Sequence, residues 1–462
     1  MISPNKKNAE WLETDGLGGF ASGTVSGIRS RRYHALLLAA IAPPSGRLVL
    51  VNGFDAWVET ESGSYAITSQ RYAPDVIHPD GIRRLEDFQS EPWPIWSFLL
   101  EDGRRIEQEI LIRHGSPTVA LIWRLIGIGN GAKLRVRPLL SGRDYHSLHH
   151  ENPNFRFEPE IEGNRILWQP YQGIPEIAAF TNGIYSHEPL WYRNFIYTEE
   201  QSRGLDFTED LASPGTFLFD LASGPATLVL TTQTGLCADD VESCVTTLRN
   251  DELQRRNALD GRLNRAADSY IVKRETGKTI IAGYPWFTDW GRDTLIALRG
   301  LAIATGKLEV AGQILSEWAG TISEGMLPNR FPDSGSTPEF NSVDASLWFI
   351  IAVHDFLKAV DSKNYVIKNR EMLQQAADAI LAGYRAGTRY QIHMDSDCLI
   401  AAGEPGVPRA VDRLLRPAEE RQCRGQLDAA TGIGRSVRSG GCRAGCAADR
   451  EAADLTGPPP CR

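Results

Sequence analysis

"AGYPWFTDWGRDTLIALRGL" occupies residues 282–301 and changes character halfway along. Its first half sets Trp286, Phe287 and Trp290 into a turn that also holds Gly283 and Pro285. Its second half opens an apolar helix behind an adjacent Arg292-Asp293 pair. Aromatic rings are not turn formers, and a neighbouring cation and anion do not make a core. A ligand with flat apolar faces and many hydroxyls accounts for both features. Indole and phenyl faces stack on apolar surface while their edges stay wet. Arg292 offers a rigid fork of donors and Asp293 offers only acceptors, so the pair can bracket two adjacent hydroxyls of a sugar ring. The competing reading makes Asp293 a helix cap and Arg292 a surface ion-pair partner.

Working toward the N-terminus, the chain reads as strands. Residues 96–100 and 106–112 alternate about an Asp102-Gly103 turn, the signature of a hairpin. Residues 47–58, 116–126, 133–140, 165–169 and 217–232 are further short apolar or alternating runs, with turn signals every ten or so residues. That spacing predicts an antiparallel sandwich. Toward the C-terminus the period becomes helical over residues 251–273, 292–305, 308–323, 343–360 and 370–384. Five helices with short loops and no strands predict stacked helical hairpins.

Length and composition narrow the classes. The 462 residues suggest two or three domains. A formal charge of -9 argues against a nucleic-acid partner. No apolar run reaches the ~18 residues of a membrane span, and residues 1–16 lack the apolar centre of a signal peptide. A cytoplasmic protein without membrane partners is the expectation. Five of the seven cysteines fall in the last 65 residues, a spacing that fits neither a disulfide framework nor a zinc site.

Several other stretches invite functional readings. Residues 16–21 match G-x-G-x-x-A but lack the preceding strand and following helix of a dinucleotide site, so they read as a Gly-rich loop between strands. Arg29, Arg31, Arg32 and His34 read as a solvated strand edge, with a loop reaching toward a ligand or neighbouring domain as the alternative. Asp144, His146, His149, His150 and Glu151 fit no defined zinc spacing and read as a structural loop. Residues 338–348 pair Asn341, placed to cap a helix, with Asp344 at its third position. The alternative has Asp344 and an aromatic neighbour facing the same pocket as Arg292.

Three long stretches, in order, carry a resemblance. "EWLETDGLGGFASGTVSGIRSRRYHALLLAA" (residues 10–40), "AGYPWFTDWGRDTLIALRGL" and "PNRFPDSGSTPEFNSVDASLWF" (residues 328–349) resemble the bacterial and archaeal glycogen debranching enzymes, and residues 393–407 still follow them. The resemblance implies an α+β chain. It would comprise an N-terminal β-sandwich over residues 1–250, then the first part of an (α/α)6 glucosidase toroid over residues 251–407. It implies hydrolysis of the α-1,6-linked glucose left at trimmed glycogen branches, with glycogen or another branched α-glucan as partner and no cofactor or metal. Trp286, Phe287 and Trp290 would wall a glucose pocket, Arg292 and Asp293 would hold its terminal hydroxyls, and Asp344 would face it. A glucoamylase-like α-1,4-glucosidase and a non-catalytic glycan-binding protein are the alternatives.

Residues 408–462 break the pattern. From Val407 onward there is no Phe, Trp, Tyr, His, Met, Lys or Asn, and the ten cations are all Arg. Such a composition cannot bury enough apolar surface to offset its ordering entropy. The choice lies between a natural disordered tail and an out-of-frame translation of a GC-rich gene, and the loss of Lys while Arg persists favours the second. The family's inverting acid and base are expected beyond residue 407, so the catalytic residues are unknown and the chain is expected to be inactive as written. Five helices of an unclosed toroid are also expected to leave Leu295, Leu298, Leu347 and Phe349 without packing partners.

Overall fold

The computed structural model describes residues 3–127, 131–236, 240–275, 277–330, 338–362 and 369–402. The expectations for residues 408–462 lie outside the described residues. The N-terminal part is a sandwich of two antiparallel sheets with ten and eight strands. Its long central strands, Ser45–Thr60, Lys133–Asp144 and Thr208–Asp220, lie side by side in the larger sheet. Thr118–Ile126 and Ala226–Thr231 pair in the smaller one. Inward-facing Leu50, Val136 and Phe217 meet Leu121, Trp123 and Leu228 in one core. Phe54 and Trp123 touch edge to face across the two layers, with ring centres 5.4 Å apart. The hairpin is as expected: Ile106 faces Phe98, and Gly103 takes a positive φ of 85° at the turn.

The Gly-rich stretch at residues 16–21 is a loop between the paired strands Glu10–Thr14 and Phe20–Thr24. Gly16 and Gly18 both have positive φ, and a Cβ on Gly18 would come 2.7 Å from the Pro44 carbonyl oxygen. Tight turning and close backbone approach explain these glycines without a nucleotide.

The α-helices of eight or more residues are α1 (Val241–Asn257), α2 (Gly261–Tyr270), α3 (Gly291–Leu298), α4 (Leu308–Ala319), α5 (Asp344–Ser362) and α6 (Arg370–Ala386). The expected single helix over residues 251–273 is divided. Gly261, at φ 76°, cannot continue a right-handed helix, so α1 and α2 are separate. β-Branched Ile271 and Val272 then leave the helix altogether and pair with Ile280 and Thr279 in a two-stranded hairpin. A second short pair joins His393–Met394 to Ile400–Ala401, so the expected absence of strands here is also wrong. Helix α1 lays Val241, Val245 and Leu248 on Leu111, Ala120 and Val229 of the smaller sheet, covering its outer face. Helix α3 runs on as a π-helical segment, Arg299–Ala304.

Helices α3 to α6 share a core of their own, including Ile314, Trp318, Val353, Phe356 and Ile380. Leu295, Leu298, Leu347 and Phe349 are all buried in it, contrary to the expectation that they would lack partners. Neighbouring hairpins satisfy one another locally, so burial does not wait for ring closure. Among the described residues no helix is long and apolar enough to cross a membrane. Cys244 is disulfide-bonded and Cys398 is an exposed free thiol.

Candidate active site

The aromatic turn is held from both sides. Within the helical part, Ala282 N–H donates to Thr288 O at 2.8 Å and Phe287 N–H to Gly283 O at 2.8 Å. Asp289, fully buried, accepts from Thr279 Oγ1 at 3.1 Å and pairs with Arg274. The Arg274 guanidinium lies 5.8 Å from the ring centre of Trp318. From the sandwich, Arg47 Nη1 donates to Phe287 O at 3.1 Å, and Tyr145 Oη donates to Trp286 O at 3.2 Å. Arg47 is itself wholly buried among the rings of Phe20, Tyr145 and Tyr284.

The basic cluster is not a solvated edge. Arg29 and His34 are buried, and Arg29 sits 5.0 Å from the Phe195 ring. Arg31 bonds Glu10 at 2.7 Å and stands 5.4 Å from the Trp286 ring centre, with Arg203 at 6.0 Å. The loop therefore reaches the neighbouring helical part, as in the alternative reading. Trp286 packs against the sandwich cluster of Phe20, Tyr33 and Tyr145. Phe287, 49% exposed, meets Trp290 edge to face at 5.9 Å.

Arg292, Asp293 and Asp344 come together from α3 and α5, which are separated by some fifty residues of chain. Arg292 Nε lies 3.1 Å from Asp344 Oδ1. Asp344 also accepts from Ser342 Oγ at 2.8 Å. Burial pushes the Asp293 carboxyl above its ordinary range; the Arg292 charge opposes this and the Asp344 charge adds to it. No side chain caps the start of α3. The expected cap at Asn341 is not formed either. Helix α5 starts at Asp344 itself, and Ser342 Oγ, not Asn341, accepts the Ala345 N–H at 3.3 Å. Asn341 instead donates to Glu339 Oε2 at 3.4 Å. On the far side of Trp290, Arg330 stands 5.4 Å from its ring centre and pairs with Glu339 at 3.2 Å. The Gly291 N–H donates to Asn329 O at 2.6 Å and ties the two motif stretches together.

Sequence reasoning missed Arg47, Asp289, Arg330 and Ser342. A lone Arg in the apolar run of residues 47–51 is a local signal for a buried charge, yet nothing in it points to a carbonyl 240 positions away. His149 uses both ring nitrogens on Asp210 O and Tyr171 Oη, at 2.9 and 2.6 Å. Among the described residues no group of three or more His, Cys, Asp or Glu could hold a metal.

Residues 9–227 match the family model described as glycogen debranching enzyme N terminal, and residues 265–411 match that of amylo-alpha-1,6-glucosidase. The chain belongs to the glycogen debranching enzyme family. The two matches meet across Arg47, Tyr145, Trp286 and Phe287, so contacts between the two family regions hold the aromatic turn. A glycogen debranching enzyme of Saccharomyces cerevisiae is 30% identical over 113 residues, 23% of this chain. The match spans only 7% of the yeast enzyme's length. Among solved structures, a bacterial glucoamylase complexed with acarbose aligns with 82% of this chain and 65% of its own. Its TM-score is 0.39 and its identity 11%.

Proposed function

We propose that this debranching-family chain recognises the α-1,6-linked glucose stub of a branched α-glucan, the substrate-holding step of stub hydrolysis. The observation that carries the reading is the convergence of Arg292, Asp293 and Asp344 beside Trp290. Arg292 donates to sugar hydroxyls, the two carboxylates accept from them, and Trp290 and half-exposed Phe287 offer apolar faces. In this reading residues 1–250 are the sandwich domain, residues 251–407 the first part of an (α/α)6 toroid, and residues 408–462 take no part in binding. An inverting glycosidase sets two carboxyls ~6.5–9.5 Å apart on opposite sides of the sugar. Arg292 pairs with Asp344 and its charge acts on Asp293, which suits one wall that grips hydroxyls rather than two that flank a scissile bond.

Limit dextrin trimmed to single α-1,6-linked glucose stubs, and maltose, test the reading. Saturable binding of limit dextrin that Arg292→Ala weakens at least tenfold is the expected result, without glucose release. Glucose release from limit dextrin alone would put a complete acid–base pair in this chain. Release from maltose alone would make it a glucoamylase-like α-1,4-glucosidase, and no glucan binding at all would overturn the proposal.

A further inference from the structure

A groove of about 770 Å³ lies away from Arg292 and its neighbours, between the sandwich and the first two helices. One wall is the edge strand Glu10–Thr14 with the end of strand Leu85–Gln89 and the loop that follows it; the other is α1 and α2. We propose that this groove is a second carbohydrate site that holds a linear stretch of α-glucan. The choice of α-glucan rests on the function proposed above, whereas the case for an uncharged polyhydroxyl ligand rests on the groove itself.

Three observations carry it. The volume falls within the ~300–1,000 Å³ of small-ligand sites. The walls present half-buried aromatic rings: Trp11 and Phe88 flank Trp96 at 5.5 and 5.1 Å on the sandwich side, and Tyr270 stands on the helical side. Such rings stack on the apolar faces of sugars. The charge is nearly balanced, with five cationic and four carboxylate side chains lining the groove. Many of them already pair, as Arg255 does with Asp268 at 2.6 Å, Arg265 with Glu91 at 3.2 Å, and Arg256 with Glu13. An anionic or cationic ligand would have to break those pairs. A polyol needs only the remaining donor and acceptor capacity of both signs, since each hydroxyl donates and accepts. Tyr270 also packs 5.8 Å from Tyr284, the residue that opens the aromatic turn, so the groove ends against the back of the candidate active site.

The test is titration of the full chain with maltoheptaose, followed by calorimetry and tryptophan fluorescence, with thermal melting as the folding control. Ala266 is exposed and lines the groove, so Ala266→Trp fills it without touching the core. Arg262→Ala, at another exposed lining position, removes a donor. Ala266→Trp is expected to weaken maltoheptaose binding at least tenfold, and Arg262→Ala severalfold, with melting unchanged in both. Arg292→Ala is expected to retain groove binding. Unaltered binding in both groove variants, with binding lost in Arg292→Ala, would overturn this proposal and leave the function proposed above standing. No maltoheptaose binding by the unmodified chain, with limit dextrin still bound, would also overturn it. Failure to bind either glucan would remove both readings.

Discussion

At the scale of single residues, charge buried near the aromatic turn sets how the protein responds to pH and to substitution. Asp15 is fully buried in the loop after the first sandwich strand, and its carboxylate accepts the Leu17 N–H at 2.7 Å. Burial raises its pKa from the ordinary 3.8 to about 7, with backbone hydrogen bonds and the Arg47 charge opposing the rise. The folded state therefore holds this proton more tightly than the unfolded chain. The resulting stabilisation is complete below about pH 4 and is lost as pH climbs through about 7. Urea unfolding of the native protein and Asp15→Asn at several pH values checks this. The stability of the native protein minus that of the variant should fall by on the order of 3 kcal/mol between about pH 4 and pH 8. Arg292 acts through geometry rather than titration. Arg292→Lys keeps the charge but loses the planar fork that meets Asp344. Limit-dextrin affinity should drop by ~1.5–3 kcal/mol in calorimetry, the scale of a hydrogen bond to a charged group. An unchanged affinity with a lowered melting temperature would assign the pair to structure alone.

At the scale of elements, two glycines in helical segments give opposite expectations. Gly383 lies in α6, where Gly→Ala usually stabilises by ~0.5–1 kcal/mol. Here a Cβ would come 2.7 Å from Gly325 Cα and 3.2 Å from Glu324 O, against rigid backbone. Gly383→Ala should therefore destabilise, by ~1–3 kcal/mol. Gly300, in the π-helical continuation of α3, has open space where a Cβ would go. Gly300→Ala should raise stability by up to ~1 kcal/mol. Paired thermal melts decide both. The elements themselves were unevenly legible. The hairpin about Asp102-Gly103 could be read from alternation and turn chemistry because both signals are local. The division between α1 and α2 was missed because polar, amphipathic spacing runs across residues 258–260, and the extended backbone of Asp260 with the positive φ of Gly261 breaks it. The strand at Ile271–Arg274 was missed because its β-branched residues are too few to outweigh a helical context until Gly277–Ile280 pairs with them.

At the scale of the whole molecule, the sandwich and the helical part are joined through Arg47. It is buried completely, it donates to Phe287 O at 3.1 Å, and three rings enclose it. A buried cation of this kind fixes the turn from outside and limits its freedom before any ligand arrives. Arg47→Met should cost ~1–3 kcal/mol, because the Phe287 carbonyl loses its donor in a dry setting. It should also weaken limit-dextrin binding severalfold. Arg47→Lys, which can still donate to that carbonyl, should recover part of the affinity. Recovery of stability without recovery of affinity would restrict Arg47 to packing.

By itself the sequence determined the change from strand period to helix period, the hairpin turns, the family resemblance and the pairing of Arg292 with Asp293 in one motif. All of these are carried by short-range spacing or by contiguous stretches. Tertiary structure alone decided between capping and pocket for Asp344, and it alone decided that Arg31 leaves its expected strand edge for Trp286 and that Leu295, Leu298, Leu347 and Phe349 find partners. It also decided that Arg47 reaches the aromatic turn. Those outcomes depend on which surfaces the fold brings together, and burial and ion pairing between distant segments leave no periodic trace in the chain.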